Sequence, residues 1–509
     1  MTLHWPLLSI LIWLPIVGAV LVLLTGDDRN AGWARGIAIA VAVISVLLCI
    51  PLYCHFDAST YHMQYTENVL WIADYGIHYA LGVDGISLMM VFLTVYTGLI
   101  IILAACHSIT KKVAQYMAAF LVLQGMMIGV FEATDAILFY VFWEAMLIPM
   151  YLCIGIWGME GRSSASIKFF IYTFLGSVLM LVSLLYLGIH AGSFNIESLY
   201  DLGLPETVQL WIFLSFLLAF AVKVPMWPVH TWLPDAHTQA PAGGSVVLAA
   251  LMLKMGVYGF LRFSLPITPM ASQALEWLMI GLSLMAVVYI GLVAIAQTDM
   301  KKLIAYSSIS HMGLATLGTF LVYRIMAMGS EADAYMSIEG ATIQMIAHAF
   351  SSGAMFLGFG YLYDRLHTRH IGDFGGVASR MPVFAAFFML FCLSNVGMPG
   401  TAGFVGEFMV LLAAFKASVW VALVATLTIV FSAAYTLWMY AKVFFGKVVH
   451  DNVNQLEDIG GMEIFTFSLL AIAVLAVGLY PGWILQTLHA SVGHLLIDSL
   501  KFNPTGFAV

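Results

Sequence analysis

Four ionisable residues, Glu144, Lys223, Lys254 and Glu407, stand inside stretches of sequence that are otherwise fit for lipid. A charged side chain in hydrocarbon costs several kcal/mol unless it is paired, hydrated or neutralised, so at membrane depth such residues mark an ion or proton pathway by default. A lysine removed from water loses affinity for its proton, and a nearby carboxylate restores it. A change in the distance between Glu144 and Lys223 would therefore switch the lysine between holding and releasing a proton. His311 and His348 add two imidazoles, the side chain whose charge changes near neutral pH, and are expected to act as proton relays.

Each of these residues also has a plainer reading. Glu144 and Lys223 could form a structural ion pair, Lys254 could extend towards the side of the bilayer that carries Arg262, and Glu407 could be a helix-end acid. Either histidine could be hydrogen-bonded packing. His230 and His237, further along, are expected to have a structural or inlet-side role.

The elements that must position these groups follow from composition. Of 509 residues, 62% are hydrophobic, and 19 basic plus 27 acidic residues make only 9% charged. A soluble domain carries about 25% charged residues, so the chain is expected to be an all-α integral membrane protein, and nucleic-acid binding and soluble enzymology are excluded. Windows of about 20 apolar residues fall at 3–24, 33–53, 86–106, 116–131, 136–156, 167–189 and 208–229. The remainder fall at 242–261, 274–296, 303–322, 340–362, 382–414, 419–445 and 464–480, giving fourteen. The first window lacks a basic leader and a small-residue cleavage site and is expected to be a retained helix. Thirteen basic residues lie in odd-numbered loops, Lys301 among them, and four in even-numbered loops and the tail, Arg262 among them. The positive-inside rule then sets the odd loops in the cytoplasm and both termini outside.

Two windows are interrupted. The seventh meets Pro225 and Pro228 directly after Lys223, and the twelfth runs through Asn395, Gly397, Pro399 and Gly400. Neither sequence keeps a regular helical ladder. The breaks lie five windows apart, so the second set of five helices crosses in the opposite sense, as in an inverted-topology repeat. Lys223-Val224-Pro225-Met226 echoes Asn395-Val396-Gly397-Met398 faintly. The expected division is residues 1–115 for three N-terminal helices, 116–262 and 263–446 for two antiporter-like halves, and 447–509 for a last helix and tail.

Five scattered cysteines offer no C-x-x-C pair for an iron-sulfur or zinc site. No phosphate-binding loop or dinucleotide fingerprint is present either. No cofactor is expected in this chain, and the driving energy must come from outside it.

The run KVPMWPVHTWLPDAHTQAPAGGSVVLAALMLKMGVYGFLRF from Lys223 resembles the antiporter-like subunits of respiratory complex I, the proton-translocating NADH-quinone oxidoreductase. QTDMKKLIAYSSISHMG from Gln297, FWEAMLIPMYLCIGIWG from Phe142 and LGVDGISLMMVFLT from Leu81 carry the same resemblance over nearly the whole chain. It implies a fourteen-helix subunit of the distal membrane arm, in the bacterial inner membrane beside sister antiporter-like subunits, translocating a proton when quinone reduction elsewhere drives it. NADH, FMN, iron-sulfur clusters and quinone would belong to partner subunits. The family's pathway residues fall on Glu144, Lys223, Lys254 and Glu407, and its two histidines on His311 and His348. A glutamate at position 407 is the subunit M pattern, whereas sister subunits and multi-subunit cation/proton antiporters usually have lysine there. The alternatives are a subunit of such an antiporter or of a membrane-bound hydrogenase, and a passive scaffold in which the four charges serve only packing.

Overall fold

In lipid every backbone N–H and C=O must find its partner within the protein, which leaves helices as the means by which apolar runs of this length cross. The computed structural model describes residues 5–448 and 451–501, so the start of the first apolar window and the end of the tail lie outside the described residues. Every window carries helix. Among the described residues eleven helices are long and apolar enough to cross a membrane, while Leu7–Leu23 and Pro382–Asn395 are apolar but shorter.

The elements that matter for the site are, in chain order, the hairpin β1 (Gln64–Ile72) and β2 (Ile77–Val83), then α1 (Gly85–Ser108), α2 (Val113–Glu132), α3 (Ala136–Ala145) and α4 (Arg162–Ala191). They continue as α5 (Glu206–Lys223), α6 (Trp232–Gln239), α7 (Ala242–Ile267), α8 (Met300–Phe320) and α9 (Glu331–Leu366). The last four are α10 (Pro382–Asn395), α11 (Ala402–Ala417), α12 (Leu427–Phe444) and α13 (Gly482–Leu500). The best apolar windows of α7 and α9 are 100% buried, against 33% for Gly461–Leu479 at the rim. A helix apolar on all sides belongs in the centre of a bundle, and α7 and α9 are the two that carry Lys254 and His348.

Two features depart from the sequence reading. The chain between the second and third windows folds into the antiparallel hairpin β1–β2, and the segment read as a tail after Tyr480 forms α13. α13 is not apolar enough to count as a crossing helix, and it packs on α1 and α9. Its Ser491 hydroxyl accepts the Gly85 N–H at 2.8 Å, and its His489 meets Glu339 of α9 at 2.8 Å. A Cβ on Gly85 would come within 1.9 Å of the Thr487 carbonyl, so glycine lets α13 lie directly on the start of α1.

Arg262 is not a loop residue. α7 continues past the eighth window to Ile267 through a π-turn at Phe260–Ser264, which buries Arg262 against Asp84 at 2.7 Å. Asp84 is also the N-cap of α1, accepting the Ser87 N–H at 2.9 Å. One carboxylate thus ties the hairpin's end, α1 and α7 together. Breaking a buried pair strands the surviving charge and costs about 3–5 kcal/mol, so Arg262→Met is expected to lower the thermal midpoint of the assembled protein. Pairing it with Asp84→Asn should recover part of the loss, and an unchanged midpoint for Arg262→Met would contradict the pairing.

Candidate functional site

Lys223 is the last residue of α5, and the break beyond it follows from proline. Pro225 has no N–H to offer the Ala221 carbonyl, which accepts the Met226 N–H instead at 2.7 Å. The Val222 carbonyl, passed over, accepts the Trp232 indole N–H at 2.9 Å. The same pattern recurs after α10, where the Leu393 carbonyl accepts the Met398 N–H at 3.0 Å. Met226 and Met398 are the positions matched by the faint sequence echo, and each reaches back five residues. The Lys223 side chain is buried with its ammonium 5.1 Å from the Trp143 ring centroid and without a hydrogen-bond partner.

Glu144 lies one residue before the end of α3 at a kink the sequence reading missed. Pro149 withholds the N–H that would cap the Ala145 carbonyl, and helix resumes as Leu147–Trp157. Glu144 accepts a hydrogen bond from the Ser177 hydroxyl of α4. The carboxylate is therefore held by Ser177 while the Lys223 ammonium stands unpartnered beside Trp143, so the two are not joined as an ion pair.

The other four residues form one buried series. In α7 a π-turn at Leu248–Met252 makes the Leu253 N–H reach back to Leu248, and the Ala249 carbonyl accepts from the Lys254 ammonium at 2.5 Å. Lys254 is 0% exposed and its ammonium also lies 2.6 Å from His348 Nδ1, so it does not reach for the surface. The His348 and His311 ring centroids are 5.8 Å apart. His311 Nδ1 is 3.0 Å from Glu407 Oε1, and the Tyr435 hydroxyl of α12 is 3.5 Å from His311 Nε2. Glu407 sits on α11, just beyond the second break, with Oε2 unpartnered. It is an interior residue, not an acid at a helix end.

Glycines set the two critical approaches. On Gly256 a Cβ would meet the Phe220 carbonyl at 2.9 Å, so its absence lets α7 press on the end of α5 near Lys223. Gly397 has φ +79 and leaves room for Glu407, whose Oε2 would be 2.5 Å from a Cβ there.

Three further polar residues lie in the interior, of which only His237 was singled out in the sequence. Lys301, counted as a loop charge, is 1% exposed and donates to the Ala240 carbonyl at 2.6 Å. His237 is 0% exposed with both ring nitrogens unpartnered. Glu132 ends α2 with both carboxylate oxygens buried and unpartnered. Lys301 and Glu132 stand within one or two residues of a window edge, where hydropathy alone does not separate interior from loop, and His237 lies between the seventh and eighth windows. Among the described residues no group of three His, Cys, Asp or Glu side chains is placed to hold a metal ion.

Residues 133–432 match the family described as NADH:quinone oxidoreductase/Mrp antiporter, TM. A protein from Rhodobacter capsulatus named NADH-quinone oxidoreductase subunit M is 46% identical, with 96% of each chain covered. A chain in the structure of respiratory complex I from Thermus thermophilus with bound NADH superposes with a TM-score of 0.85 at 32% identity, covering 96% of this chain and 99% of that one. A chain of the Mrp complex from Dietzia sp. DQ12-45-1b gives a TM-score of 0.81 at 21% identity, over 97% of this chain and 52% of that one, a likeness of fold.

The left-handed backbone at Gly397 costs an L-residue about 1–2 kcal/mol. Gly397→Ala is accordingly expected to lower stability by at least that amount, because its methyl group also collides with Glu407. Gly281→Ala, where a Cβ meets nothing within 4 Å, should leave the thermal midpoint unchanged or slightly raised. Equal midpoints for the two variants would show that the Gly397 turn carries no such constraint.

Proposed function

Because the chain belongs to the NADH:quinone oxidoreductase/Mrp antiporter family of membrane subunits, we propose that it is a proton-translocating subunit of the membrane arm of an NADH-quinone oxidoreductase. It moves protons from cytoplasm to periplasm while quinone is reduced elsewhere in the complex. The observation that carries this reading is the buried series Lys254, His348, His311 and Glu407, four titratable groups spanning α7 to α11 with no apolar side chain needed to bridge them. Its partners are the sister membrane-arm subunits. NADH, FMN, iron-sulfur clusters and quinone are held by other chains, and this chain's part in the enzyme is not redox. It lies in the bacterial inner membrane with both termini periplasmic and two antiporter-like halves in opposite orientation, a division supported by the matched hydrogen bonds of Met226 and Met398.

In this mechanism Glu144, drawn between Ser177 and Lys223, sets whether Lys223 is charged. The charge on Lys223 biases Lys254 across the close α5–α7 contact. Lys254 passes its proton to His348, His348 to His311, and His311 to Glu407, from which it leaves for the outer side. Driving one proton against about 150 mV requires roughly 3.5 kcal/mol, scaled from about 2.3 kcal/mol per 100 mV, and about three pKa units at a single lysine would match it.

The antiporter reading shares the family description and a likeness of fold at 21% identity, whereas the relative at 46% identity is named an NADH-quinone oxidoreductase subunit. The scaffold reading treats Glu144 and Lys223 as a packing pair. A packing role would be served by pairing Glu144 with Lys223, yet the Glu144 carboxylate is held by Ser177 and the Lys223 ammonium stands beside the Trp143 ring.

Lys223→Ala and Glu144→Ala, each in the fully assembled complex, are expected to abolish most proton pumping, read as NADH-driven acidification of inside-out membrane vesicles. Full assembly with unchanged pumping would sink the channel reading. Glu407→Gln keeps the shape of the terminal group but removes its charge, and should lower the number of protons released per NADH. A normal stoichiometry would remove Glu407 from the outward path.

A further inference from the structure

The series described above begins at Lys254, in the middle of the bundle, and leaves the inner side unconnected. Along α9 the side chains beneath the polar groups supply an order. The Lys301 ammonium lies 5.6 Å from the Phe359 ring centroid, and the His237 ring stacks on Phe356 at 4.4 Å. Lys254 meets His348 at 2.6 Å. At 1.5 Å per residue, Phe359 and Phe356 are separated by about 4.5 Å along the helix, and Phe356 and His348 by about 12 Å. Lys301, His237 and Lys254 therefore follow one another along a single face of α9.

Lys301 is also next to an opening. A polar cavity of about 280 Å³ is lined by Asp235, Gln239, Thr298, Asp299, Lys302 and Arg369, of which Lys302 follows Lys301 directly and Asp299 stands two residues before it. The backbone there is fixed, with Asp299 accepting the Lys301 and Lys302 N–H groups at 2.9 and 3.1 Å. Arg369 closes the ring, 3.4 Å from Asp299 and donating to the Thr238 carbonyl at 3.3 Å. The Lys301 side chain points inward from this ring and uses one of its three donors, on the Ala240 carbonyl at the junction of α6 and α7. The charged and titratable groups acting on it are Arg369, Asp299, Asp364 and Cys153.

From this placement we propose that Lys301 is the inner proton relay, taking protons from the cavity at Asp299 and Arg369 and handing them through His237 to Lys254. The proposal deepens the proton-translocating reading and rests on it. In each passage the Lys301 ammonium gives one N–H proton through water to a ring nitrogen of His237 and is left as an amine. His237 gives its other ring proton to water, which carries it over the remaining distance to the Lys254 amine, and cavity water, replenished from the cytoplasm, returns a proton to Lys301. No bond other than N–H and O–H changes, and no electrons move.

Arginine separates a relay from a strut. It keeps the positive charge and the donor to Ala240 but does not release a proton. In inside-out vesicles carrying the assembled complex, NADH-driven acidification is measured for Lys301→Arg, Lys301→Met and Thr298→Trp, the last placing a large ring on the exposed residue at the cavity mouth. Both lysine variants are expected to pump about a hundredfold more slowly, the lower end of what a positioned proton-transfer group supplies, and Thr298→Trp to slow pumping as well. Wild-type pumping by Lys301→Arg would make Lys301 a strut and overturn the relay. Wild-type pumping by Thr298→Trp would overturn the cavity as the source, whether or not the buried variants assemble. Lys223→Ala, run alongside, keeps the two proposals apart, since its loss of pumping with an active Lys301→Arg leaves the channel reading intact and removes only the inner relay.

Discussion

The structure depends on one constraint, that a bare charge or an unpaired peptide group has no solvent to fall back on inside the bundle. Lys254 meets it by taking the Ala249 carbonyl and the His348 ring at once. Neither partner would be available in a regular helix at the surface. The π-turn in α7 redirects the backbone bond that would otherwise occupy Ala249, and the complete enclosure of α7 and α9 brings His348 to within 2.6 Å. The packing of the two central helices and the hydrogen bonding of the site are one arrangement.

The same constraint explains why the broken helices are where they are. A proline or a left-handed glycine leaves carbonyls without partners, and in lipid these must be satisfied by side chains or by longer backbone reach. After α5 the Ala221 carbonyl takes Met226 and the Val222 carbonyl takes the Trp232 indole. After α10 the Leu393 carbonyl takes Met398, and the Asn395 amide donates to Thr436 at 3.0 Å. Both breaks place an ionisable residue within reach of irregular backbone, Lys223 in the last turn before the first and Glu407 in the second turn after the second. The breaks thus give Lys223 and Glu407 irregular backbone beside them in the interior.

Much of this is legible in the amino-acid order because hydropathy is a strong signal in a chain with so few charges. Lys223, Lys254, Glu144 and Glu407 stood out as charges inside apolar windows, and Pro225, Pro228, Gly397 and Pro399 marked the two breaks. What stayed hidden is what depends on neighbours distant in sequence. Nothing near Glu144 announces Ser177 as its partner, and the pairing of Asp84 with Arg262 spans the first half of the chain. Lys301 was misplaced because it follows Asp299, a helix-capping residue that reads equally well as a loop, and only the packing of α9 over it makes it interior. Pro149 was visible in the fifth window, and its kink beside Glu144 could have been anticipated from the missing N–H alone. α13 escaped because it buries one face only, through Ile484, Leu488, Val492 and Leu495, and its remaining polar residues keep it below the apolarity of a crossing helix.

The central claim is that Lys254, His348, His311 and Glu407 act in series. A double-mutant cycle on pumping rate in the assembled complex tests this most directly, combining Lys254→Ala with His311→Ala, two residues that do not touch each other. A serial path requires the double variant to be no slower than the slower single variant, since one break already stops the flow. Losses that multiply, as they do for independent sites, would contradict it.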